Sequence, residues 1–276
     1  MPNFATLYFS SIFSKDSHFE GLKKLGYFPE IYFESGWNRI GALEHREIGA
    51  LIQREFGGCS VHLPYGGLYP GEDDGQIPKT LQTAASIAQY YQPIHLIGHA
   101  VFRATRDSAG TTRQRLSLSP GDLAGPACAP KESFLANSRK AWTAVLAACD
   151  ARLFLENTQE RSPFPIAEVL RELPPERASM CFDVGHWHYA GMGSTWRNLE
   201  EWLEIVGPRL GHLHLHDNDG SADQHRPLGQ GLINFQELGD LLRERDLKPT
   251  FTIENHDALS LAESVKYLAE NPLFPA

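Results

Sequence analysis

Cysteine is scarce in this 276-residue sequence, and its four cysteines form no Cys-x-x-Cys pair. Cys59, Cys128, Cys149 and Cys181 lie far apart, which argues against a disulfide framework. We therefore expect reduced, mostly buried thiols in a cytoplasmic protein. The first four residues, Met-Pro-Asn-Phe, lack the basic start and long apolar run of a signal peptide, so we expect no cleaved leader.

Positive charge and long apolar runs are missing as well. Lysine and arginine total 25 against 34 aspartates and glutamates, which gives a net charge of −9. A general nucleic-acid binder needs a basic face to displace counterions, so duplex DNA is not expected as a partner. No stretch reaches the roughly 20 apolar residues of a membrane span, so we expect no membrane contact. The sequence makes no prediction about the oligomeric state.

The sequence does contain enough apolar residues for a large core. Hydrophobic residues make up 42% and aromatic residues 11%, which is not the composition of a disordered chain. Short apolar runs alternate with amphipathic segments along almost the whole length. Predicted strands cover residues 5–9, 30–33, 59–63, 94–97, 152–155, 179–182, 211–215 and 250–253. Predicted helices cover residues 16–25, 42–56, 77–91, 132–149, 165–172, 196–206, 235–245 and 259–269.

Eight strand–helix pairs in this length predict an α/β fold, a single (β/α)₈ barrel over residues 1–276. An open doubly wound sheet is the alternative, but it needs a glycine-rich phosphate turn after an early strand, and the sequence has none. Residues 101–131 interrupt the alternation after strand four. They carry five basic and two acidic residues, a net charge of +3, and we expect them to form an inserted loop or lid.

A histidine-rich segment runs from residue 211 to residue 231. It holds His212, His214, His216 and His225 among several aspartates. Two leucines alternate with the first three histidines, so a strand would place the imidazoles on one face. Neutral imidazole and carboxylate are common ligands of divalent metals, which favours a metal site over a solvated loop.

Metal-type side chains also end the other strands from strand three onward. Because all strands of a parallel barrel end at the same mouth, these side chains should converge there. There are nine of them: His62, His99, Glu156, Asp183, His186, His214, Asp223, His225 and Glu254. One such residue at a strand end is commonly structural, but the joint pattern is hard to obtain by chance. Since a single ion takes about four to six ligands, nine candidates predict two or three ions.

Together these motifs resemble the xylose isomerase-like TIM-barrel superfamily. That group joins sugar isomerases and epimerases with endonuclease IV-type apurinic/apyrimidinic endonucleases, the second AP endonuclease family. The strings that carry the resemblance are His62-Leu63-Pro64-Tyr65, Leu155-Glu156-Asn157-Thr158, Phe182-Asp183-Val184-Gly185-His186, His214-Leu215-His216-Asp217, Asp223-Gln224-His225 with Pro227-Leu228-Gly229-Gln230-Gly231, and Ile253-Glu254. The resemblance spans nearly the whole chain and implies a metal-dependent barrel enzyme.

The branches of that superfamily differ in the metal sets that they imply. The one-metal site of the sugar epimerases corresponds here to Glu156, Asp183, His214 and Glu254. The endonuclease IV-type enzymes imply two further sets, one of His62 and His99 with Glu156 and one of His186, Asp223 and His225. The resemblance therefore implies two or three ions, with zinc expected and manganese or magnesium as alternatives.

The loop after strand three departs from the DNA-repair branch. It carries Glu72, Asp73 and Asp74, which would repel the phosphates of a nucleic acid. This acidic loop argues against duplex DNA as the substrate. It leaves the metal chemistry unchanged.

Five further residues are predicted to contact the substrate: Glu34, Tyr65, Arg103, Trp187 and His216. Glu34 ends strand two at the mouth, and Arg103 could hold an anionic group. For the two aromatic residues, packing in the barrel wall or core is the alternative. His216 follows His214 at strand spacing, so it could instead orient a metal ligand.

We expect an enzyme that acts on a small-molecule substrate, free or phosphorylated. The first hypothesis is hydrolysis of a phosphoester by a multi-metal cluster, because the sequence has all nine ligands. The alternative is isomerisation or epimerisation of a sugar, a polyol or their phosphates, with one metal and Glu156 and Glu254 as the catalytic pair. A barrel that binds a sugar or a metal without turnover is the third hypothesis.

Overall fold

A computed structural model of the chain describes residues 3–8, 11–12, 15–33, 37–64, 76–99, 104–106, 112–114, 132–158, 160, 162–191 and 198–273. The strands are β1 Asn3–Tyr8, β2 Phe28–Tyr32, β3 Ser60–His62, β4 His95–His99, β5 Ala104–Arg106, β6 Thr112–Gln114, β7 Arg152–Glu156, β8 Ala178–Asp183, β9 Leu210–Leu215 and β10 Thr250–Ile253. The α-helices are α1 Ser17–Leu25, α2 Ala42–Phe56, α3 Gln76–Tyr91, α4 Glu132–Ala148, α5 Phe164–Arg171, α6 Val184–Gly191, α7 Leu199–Val206, α8 Phe235–Glu244 and α9 Ala258–Glu270.

Eight parallel strands of the described chain close into a barrel, so the predicted (β/α)₈ fold is confirmed. Neighbouring strands follow the order β1, β10, β9, β8, β7, β4, β3, β2 and back to β1. The two remaining strands, β5 and β6, pair antiparallel outside the barrel. They lie within the 101–131 insertion, for which the sequence predicts no strand. The other residues of that insertion lie outside the described part of the chain.

Side-chain caps fix where several helices begin. Asp16 accepts hydrogen bonds from the backbone N–H groups of His18 and Phe19 at the start of α1. Asp257 does the same for Leu259 and Ser260 at the start of α9. A carboxylate at this position satisfies N–H groups that have no partner within the helix. These caps explain why both helices begin within one residue of their predicted starts.

One helix, α6, follows β8 directly and is not predicted by the sequence pattern. It is short and contains Gly185 and Gly191, which disfavour helix in isolation. Asp183, the last residue of β8, accepts a hydrogen bond from the backbone N–H of His186 at 2.6 Å. The strand therefore supplies the cap of the helix, and tertiary packing overrides the weak local propensity.

Alternate residues of the strands fill the interior of the barrel. Below the mouth, rings from β1, β4, β7 and β9 are in contact, with centroid separations of 4.8–5.9 Å. These rings belong to Phe4, His95, Phe154 and His212. On β9, the intervening Leu213 and Leu215 face the other way and join the core between sheet and helices. The rings form a packed floor beneath the mouth.

The cysteines agree with the expectation of reduced, mostly buried thiols. Cys59 and Cys181 are free and buried, and Cys149 is free and partly buried. Cys128 lies outside the described residues.

In the described part of the chain, no helix combines the length and the apolar character that crossing a bilayer requires.

Two helical glycines provide a test of the helix packing. A Cβ atom at Gly49 in α2 would lie 2.0 Å from the carbonyl oxygen of Tyr90 in α3, whereas one at Gly21 in α1 would lie 3.6 Å from the Cβ of Ala258. We predict that Gly49→Ala lowers the free energy of unfolding by about 1–3 kcal/mol, because the new methyl group would require the backbone of α3 to move. The matched Gly21→Ala should raise it by about 0.5–1 kcal/mol, since alanine favours helix. Urea denaturation measures both changes, and a stabilised Gly49→Ala variant would contradict the α2–α3 contact.

Candidate metal centre and active site

The mouth of the barrel brings all nine predicted ligands together in three groups. Within each group the candidate ligand atoms lie within 4.8 Å of one another. The groups are His62, His99 and Glu156; Glu156, Asp183, His214 and Glu254; and His186, His216, Asp223 and His225. Glu156 belongs to the first two groups, and the third contains one residue more than the sequence analysis assigned to it.

The central group consists of three carboxylates around one imidazole. His214 Nδ1 lies 3.2 Å from Glu156 Oε1, 3.2 Å from Glu254 Oε1 and 3.6 Å from Asp183 Oδ2. All four side chains are buried, and Asp183 Oδ2 accepts no hydrogen bond from the described residues. Bonds of about 2.0–2.2 Å to a divalent ion would place neighbouring ligand atoms about 3.0–3.5 Å apart. The donor set therefore fits a divalent cation.

The first outer group lies on β3, β4 and β7. His62 Nε2 and His99 Nε2 lie 2.9 and 3.1 Å from the same oxygen, Glu156 Oε2. The two rings are 5.0 Å apart and nearly perpendicular. Because the other oxygen of Glu156 faces His214, this carboxylate lies between the two groups.

The second outer group combines α6 with the loop after β9. His186 Nε2 lies 3.2 Å from Asp223 Oδ2, and His225 Nε2 lies 3.3 Å from Asp223 Oδ1. Both histidines are only partly buried, so this group lies nearer to the surface than the central one.

Three of these histidines are oriented by backbone carbonyls. The Nδ1 atoms of His62, His186 and His225 lie 3.0 Å from the carbonyl oxygens of Leu63, Asn157 and Glu254. An Nδ1–H donated to a carbonyl leaves Nε2 without its proton and able to bind a metal. The backbone therefore selects the nitrogen that His62 and His225 present. Nδ1 of His186 also lies 3.2 Å from Glu156 Oε1 and 3.2 Å from Asp183 Oδ2.

Two asparagines, Asn157 and Asn255, each follow a candidate glutamate ligand in the sequence and hold the backbone of other ligand segments. Asn157 binds the backbone N–H of Asp183 through Oδ1 at 2.9 Å and its carbonyl through Nδ2 at 2.8 Å. Asn255 donates to the carbonyl of His225 at 3.1 Å. His225 has a φ of +47°, a conformation that residues other than glycine adopt rarely. The asparagine thus supports a strained ligand backbone.

Asp217 holds the remainder of the loop after β9. Its carboxylate accepts hydrogen bonds from the backbone N–H groups of Gly229, Gly231 and Ile233 at 2.9–3.2 Å. A Cβ at Gly231 would lie 2.2 Å from Asp217 Oδ1, so only glycine fits there. The Pro-Leu-Gly-Gln-Gly string therefore shapes the loop that carries Asp223 and His225.

His216 lies deeper than a substrate contact would require. It is fully buried, and its Nε2 lies 3.2 Å from Asp183 Oδ1 and 3.7 Å from Asp223 Oδ1. Its ring stacks on that of His225 at 3.9 Å, and a Cβ at Gly185 would lie 2.0 Å from it. This position favours the interpretation of His216 as a residue that orients carboxylate ligands.

Of the other four predicted substrate contacts, only Trp187 lies within the described residues. Glu34, Tyr65 and Arg103 lie outside the described residues. Trp187 lies on α6, partly buried, and packs against Phe182 at a centroid separation of 6.2 Å. A contact between Trp187 and a substrate stays a prediction.

Electrostatic interactions at the mouth shift the pKa values of the two candidate catalytic carboxylates in opposite directions. Burial would raise the pKa of Glu156, but His214 and His99 hold it well below its ordinary value. Burial does raise the pKa of Glu254; His214 offsets part of this effect, and repulsion from Asp183 adds to it. Pairs whose environments push their pKa values apart are suited to opposite roles in proton transfer.

The histidines of the second outer group respond to the same charges. Burial lowers the pKa of His225, but Asp223 and Glu254 raise it to about 9. Burial likewise opposes the charged form of His186, while Asp183 and Asp223 raise its pKa well above the ordinary value. This part of the mouth therefore attracts positive charge, as a cation site must.

Two glutamates, Glu30 and Glu160, are buried near the mouth and are not among the predicted site residues. Glu30 lies in the middle of β2, 1% exposed, with Oε1 3.0 Å from His214 Nε2. The sequence feature that could have indicated Glu30 is an acidic residue inside an otherwise uncharged strand, which is uncommon unless the carboxylate is paired. Glu160 follows β7, is 2% exposed, and accepts a hydrogen bond from the backbone N–H of Thr158 at 2.6 Å.

Comparison with known families agrees with the motifs. A family model described as a xylose isomerase-like TIM barrel matches residues 22–271. This match confirms the resemblance inferred from the sequence, and it agrees with the expectation of an enzyme.

Two sequence relatives come from Methanocaldococcus jannaschii. The uncharacterized proteins MJ1311 and MJ1614 are 30% identical over 109 residues and 31% identical over 84 residues. These stretches cover 40% and 30% of this chain. They cover 36% and 28% of the relatives, so the chain spans well under half of the length of either relative.

Several solved structures share the fold along most of their length. A D-tagatose 3-epimerase-like protein has a TM-score of 0.68 and 19% identity, covering 98% of this chain and 96% of its own. The TTHB071 protein from Thermus thermophilus, soaked with ZnCl₂, has a TM-score of 0.65 and 24% identity, covering 98% and 99%. An L-ribulose 3-epimerase has a TM-score of 0.67 and 12% identity, covering 99% and 95%. At these identities the likeness shows the fold.

Glu160 makes the stability of the protein depend on pH. Burial raises its pKa from 4.5 to about 7, so the folded chain binds this proton more tightly than the unfolded chain. The free energy of unfolding therefore falls as the pH rises from about 4.5 through about 7. We predict that Glu160→Gln is more stable than the wild type by up to about 3 kcal/mol at pH 8, with the gain shrinking as the pH falls to about 5. Urea denaturation across this range measures the difference. The exposed Glu204→Gln should show a flat profile, and a flat profile for Glu160→Gln would refute the prediction.

Proposed function

Because the chain belongs to the xylose isomerase-like TIM-barrel family, we propose that it is a divalent-metal-dependent isomerase or epimerase of a small sugar or polyol. The observation that carries this proposal is the convergence of Glu156 and Glu254. Glu156 ends β7 and Glu254 directly follows β10, and β8 and β9 separate these two strands in the barrel. Both carboxylates lie 3.2 Å from His214 Nδ1. Two carboxylates that approach one site from separate walls can serve two faces of one carbon.

The cation would be held by Glu156, Asp183, His214 and Glu254. When bound, it would polarise a carbonyl or hydroxyl pair of the substrate and so acidify the neighbouring C–H. Glu156, whose pKa is held low, is suited to stay ionised and accept the proton. Glu254, whose pKa is raised, is suited to return a proton. The L-ribulose 3-epimerase among the structures that share this fold supports the choice of reaction class.

Zinc or manganese is the cation that we propose. Three carboxylates and one imidazole suit either ion, whereas the histidine-rich outer groups favour zinc. The zinc-soaked Thermus thermophilus protein with the same fold supports zinc.

Hydrolysis of a phosphoester remains the second candidate. The observation in its favour is the presence of the two outer groups next to the central one, with Glu156 Oε2 within 3.1 Å of both His62 and His99. A one-metal isomerase has no evident need for these groups. Clusters of two or three ions suit displacement at phosphorus because they stabilise the attacking and leaving oxygens together. The epimerases that share the fold favour isomerisation over this alternative.

Solvent exchange tests the isomerase proposal directly. We predict that the metal-loaded protein incorporates deuterium from D₂O into at least one ketose or aldose of a broad panel, measured by mass spectrometry. Glu156→Gln and Glu254→Gln should each lower the exchange rate by about 100-fold or more, because each removes a proton-transfer group. The exposed Glu204→Gln is the matched control and should exchange at the wild-type rate. Absence of exchange across the panel would count decisively against isomerisation.

Metal content separates the two candidates. Elemental analysis of protein purified without chelator should give about one ion per chain for a one-metal isomerase, and two or three for the hydrolase. Under the hydrolase alternative, replacing both His62 and His99 by glutamine should lower the content by about one ion. If the double variant keeps the wild-type content, the first outer group does not bind an ion of its own.

A further inference from the structure

Glu30 occupies the barrel interior directly below the central group. Its Oε1 lies 3.0 Å from His214 Nε2, and the two side chains are 1% and 0% exposed. Both atoms are buried without a hydrogen-bond partner in the described part of the chain, so this close approach is the polar contact that each has available. The opposite ring nitrogen of His214, Nδ1, faces the three carboxylates of the central group. The imidazole therefore bridges Glu30 and the candidate cation site.

His214 differs in this respect from two other candidate ligands. His62 and His225 place Nδ1 against a backbone carbonyl and direct Nε2 towards a carboxylate. His214 is reversed: Nδ1 is directed towards the carboxylates, and the nitrogen behind it faces a side-chain carboxylate. A charged acceptor binds an N–H more strongly than a carbonyl does and makes the ring a better donor to a metal.

Glu30 is itself held in place by hydroxyl groups. Ser60 Oγ and Thr252 Oγ1, from the strands on either side of the interior, each donate to Glu30 Oε2 at 2.9 Å. Both bonds go to the oxygen that does not face His214, so Oε1 stays directed at the imidazole. This arrangement fixes the rotamer of a buried carboxylate, as a positioning group requires.

Two other groups near Glu30 do not account for its position. His212 lies 3.7 Å away, but Thr250 and Thr252 hydroxyls already lie 2.6 and 2.9 Å from its two ring nitrogens. Cys181 belongs to a cluster with His214, but a thiol is a weak hydrogen-bond acceptor. A cation held by Glu30, His95 and His212 would have to displace a threonine hydroxyl from one ring nitrogen of His212.

We propose that Glu30 is a positioning residue, which accepts the Nε2–H of His214 and thereby presents Nδ1 to a divalent cation in the central group. The proposal rests on the metal site proposed above and not on the reaction catalysed there. It assigns a function to a carboxylate that touches neither the substrate nor the ion. Loss of such a group weakens metal binding by about 10–100-fold in metalloproteins.

Metal affinity tests the proposal. Metal-free wild type and Glu30→Gln are titrated with Mn²⁺, and the free ion is counted by electron paramagnetic resonance. Glu30→Gln keeps the shape of the side chain but removes its charge, so the affinity for the central ion should fall by about 10–100-fold. Thermal unfolding of both metal-free proteins checks that the variant is folded.

Thr250→Val is the matched control, from the layer of His212 directly beneath Glu30. It removes a hydroxyl from His212 but leaves Glu30 and His214 untouched. If Glu30 were merely structural, Glu30→Gln and Thr250→Val would both lower stability and leave Mn²⁺ affinity unchanged. We expect Thr250→Val to bind Mn²⁺ like the wild type. Equal affinity of wild type and folded Glu30→Gln would overturn the proposal.

Nuclear magnetic resonance of the histidine rings gives a second readout. In the Zn²⁺-loaded wild type, His214 should be the Nε2–H tautomer, with the Nε2 proton shifted far downfield by the charged acceptor. His214→Gln assigns the signal, which should move upfield in Glu30→Gln. An Nδ1–H tautomer of His214 in the Zn²⁺-loaded protein would contradict the proposal.

Ser60→Ala decides the question if Glu30→Gln does not fold. It removes one of the two donors that hold Glu30 Oε2, so Mn²⁺ affinity should fall by about threefold or more. Unchanged affinity in Ser60→Ala would then overturn the proposal. If the wild type binds neither Mn²⁺ nor Zn²⁺, the proposed metal site itself is wrong. That outcome differs from metal binding that is the same with and without Glu30, which would contradict only the role of Glu30.

Discussion

The burial of negative charge at one end of the barrel is the constraint on which the site depends. Glu30, Glu156, Asp183 and Glu254 are all at most 8% exposed. A carboxylate removed from water is costly unless cations or hydrogen-bond donors surround it. Histidines from β3, β4 and β9, from α6 and from the loop after β9 compensate part of this charge, and a divalent cation in the central group would compensate more of it. The fold therefore concentrates charge where a ligand can compensate it.

The barrel supports this concentration of charge in layers. Contacting rings form the floor, the hydroxyl-bonded Glu30 lies above them, and the candidate ligands lie at the mouth. Each layer restricts the next, because Ser60 and Thr252 fix Glu30, which in turn faces His214. From the side, Asn157 and Asn255 hold the backbones that carry the ligands. Ligand geometry is thus determined by strands and loops together, before any substrate binds.

The sequence predicted the barrel and the convergence of nine side chains, because strand ends in a parallel barrel share one mouth. It did not predict α6, whose cap comes from a strand, nor the strand pair β5–β6 within the insertion. Glu30 escaped notice because it lies in mid-strand, where only the closed barrel reveals what it faces. His216 looked like a possible substrate contact, and its burial behind Asp183 depends on the space left by Gly185. These features arise from tertiary contacts that local patterns do not encode.

The shared position of Glu156 has a thermodynamic consequence. Its two oxygens face different groups, Oε2 towards His62 and His99 and Oε1 towards His214. If both groups held an ion, the ion in one group would polarise and orient the carboxylate that the other group needs, and the two occupancies would then not be independent. By linkage, whatever one ion does to the affinity of the second, the second does equally to the first. The two groups would then bind metal as one coupled site, and the metal-binding isotherm of the protein would show positive or negative cooperativity.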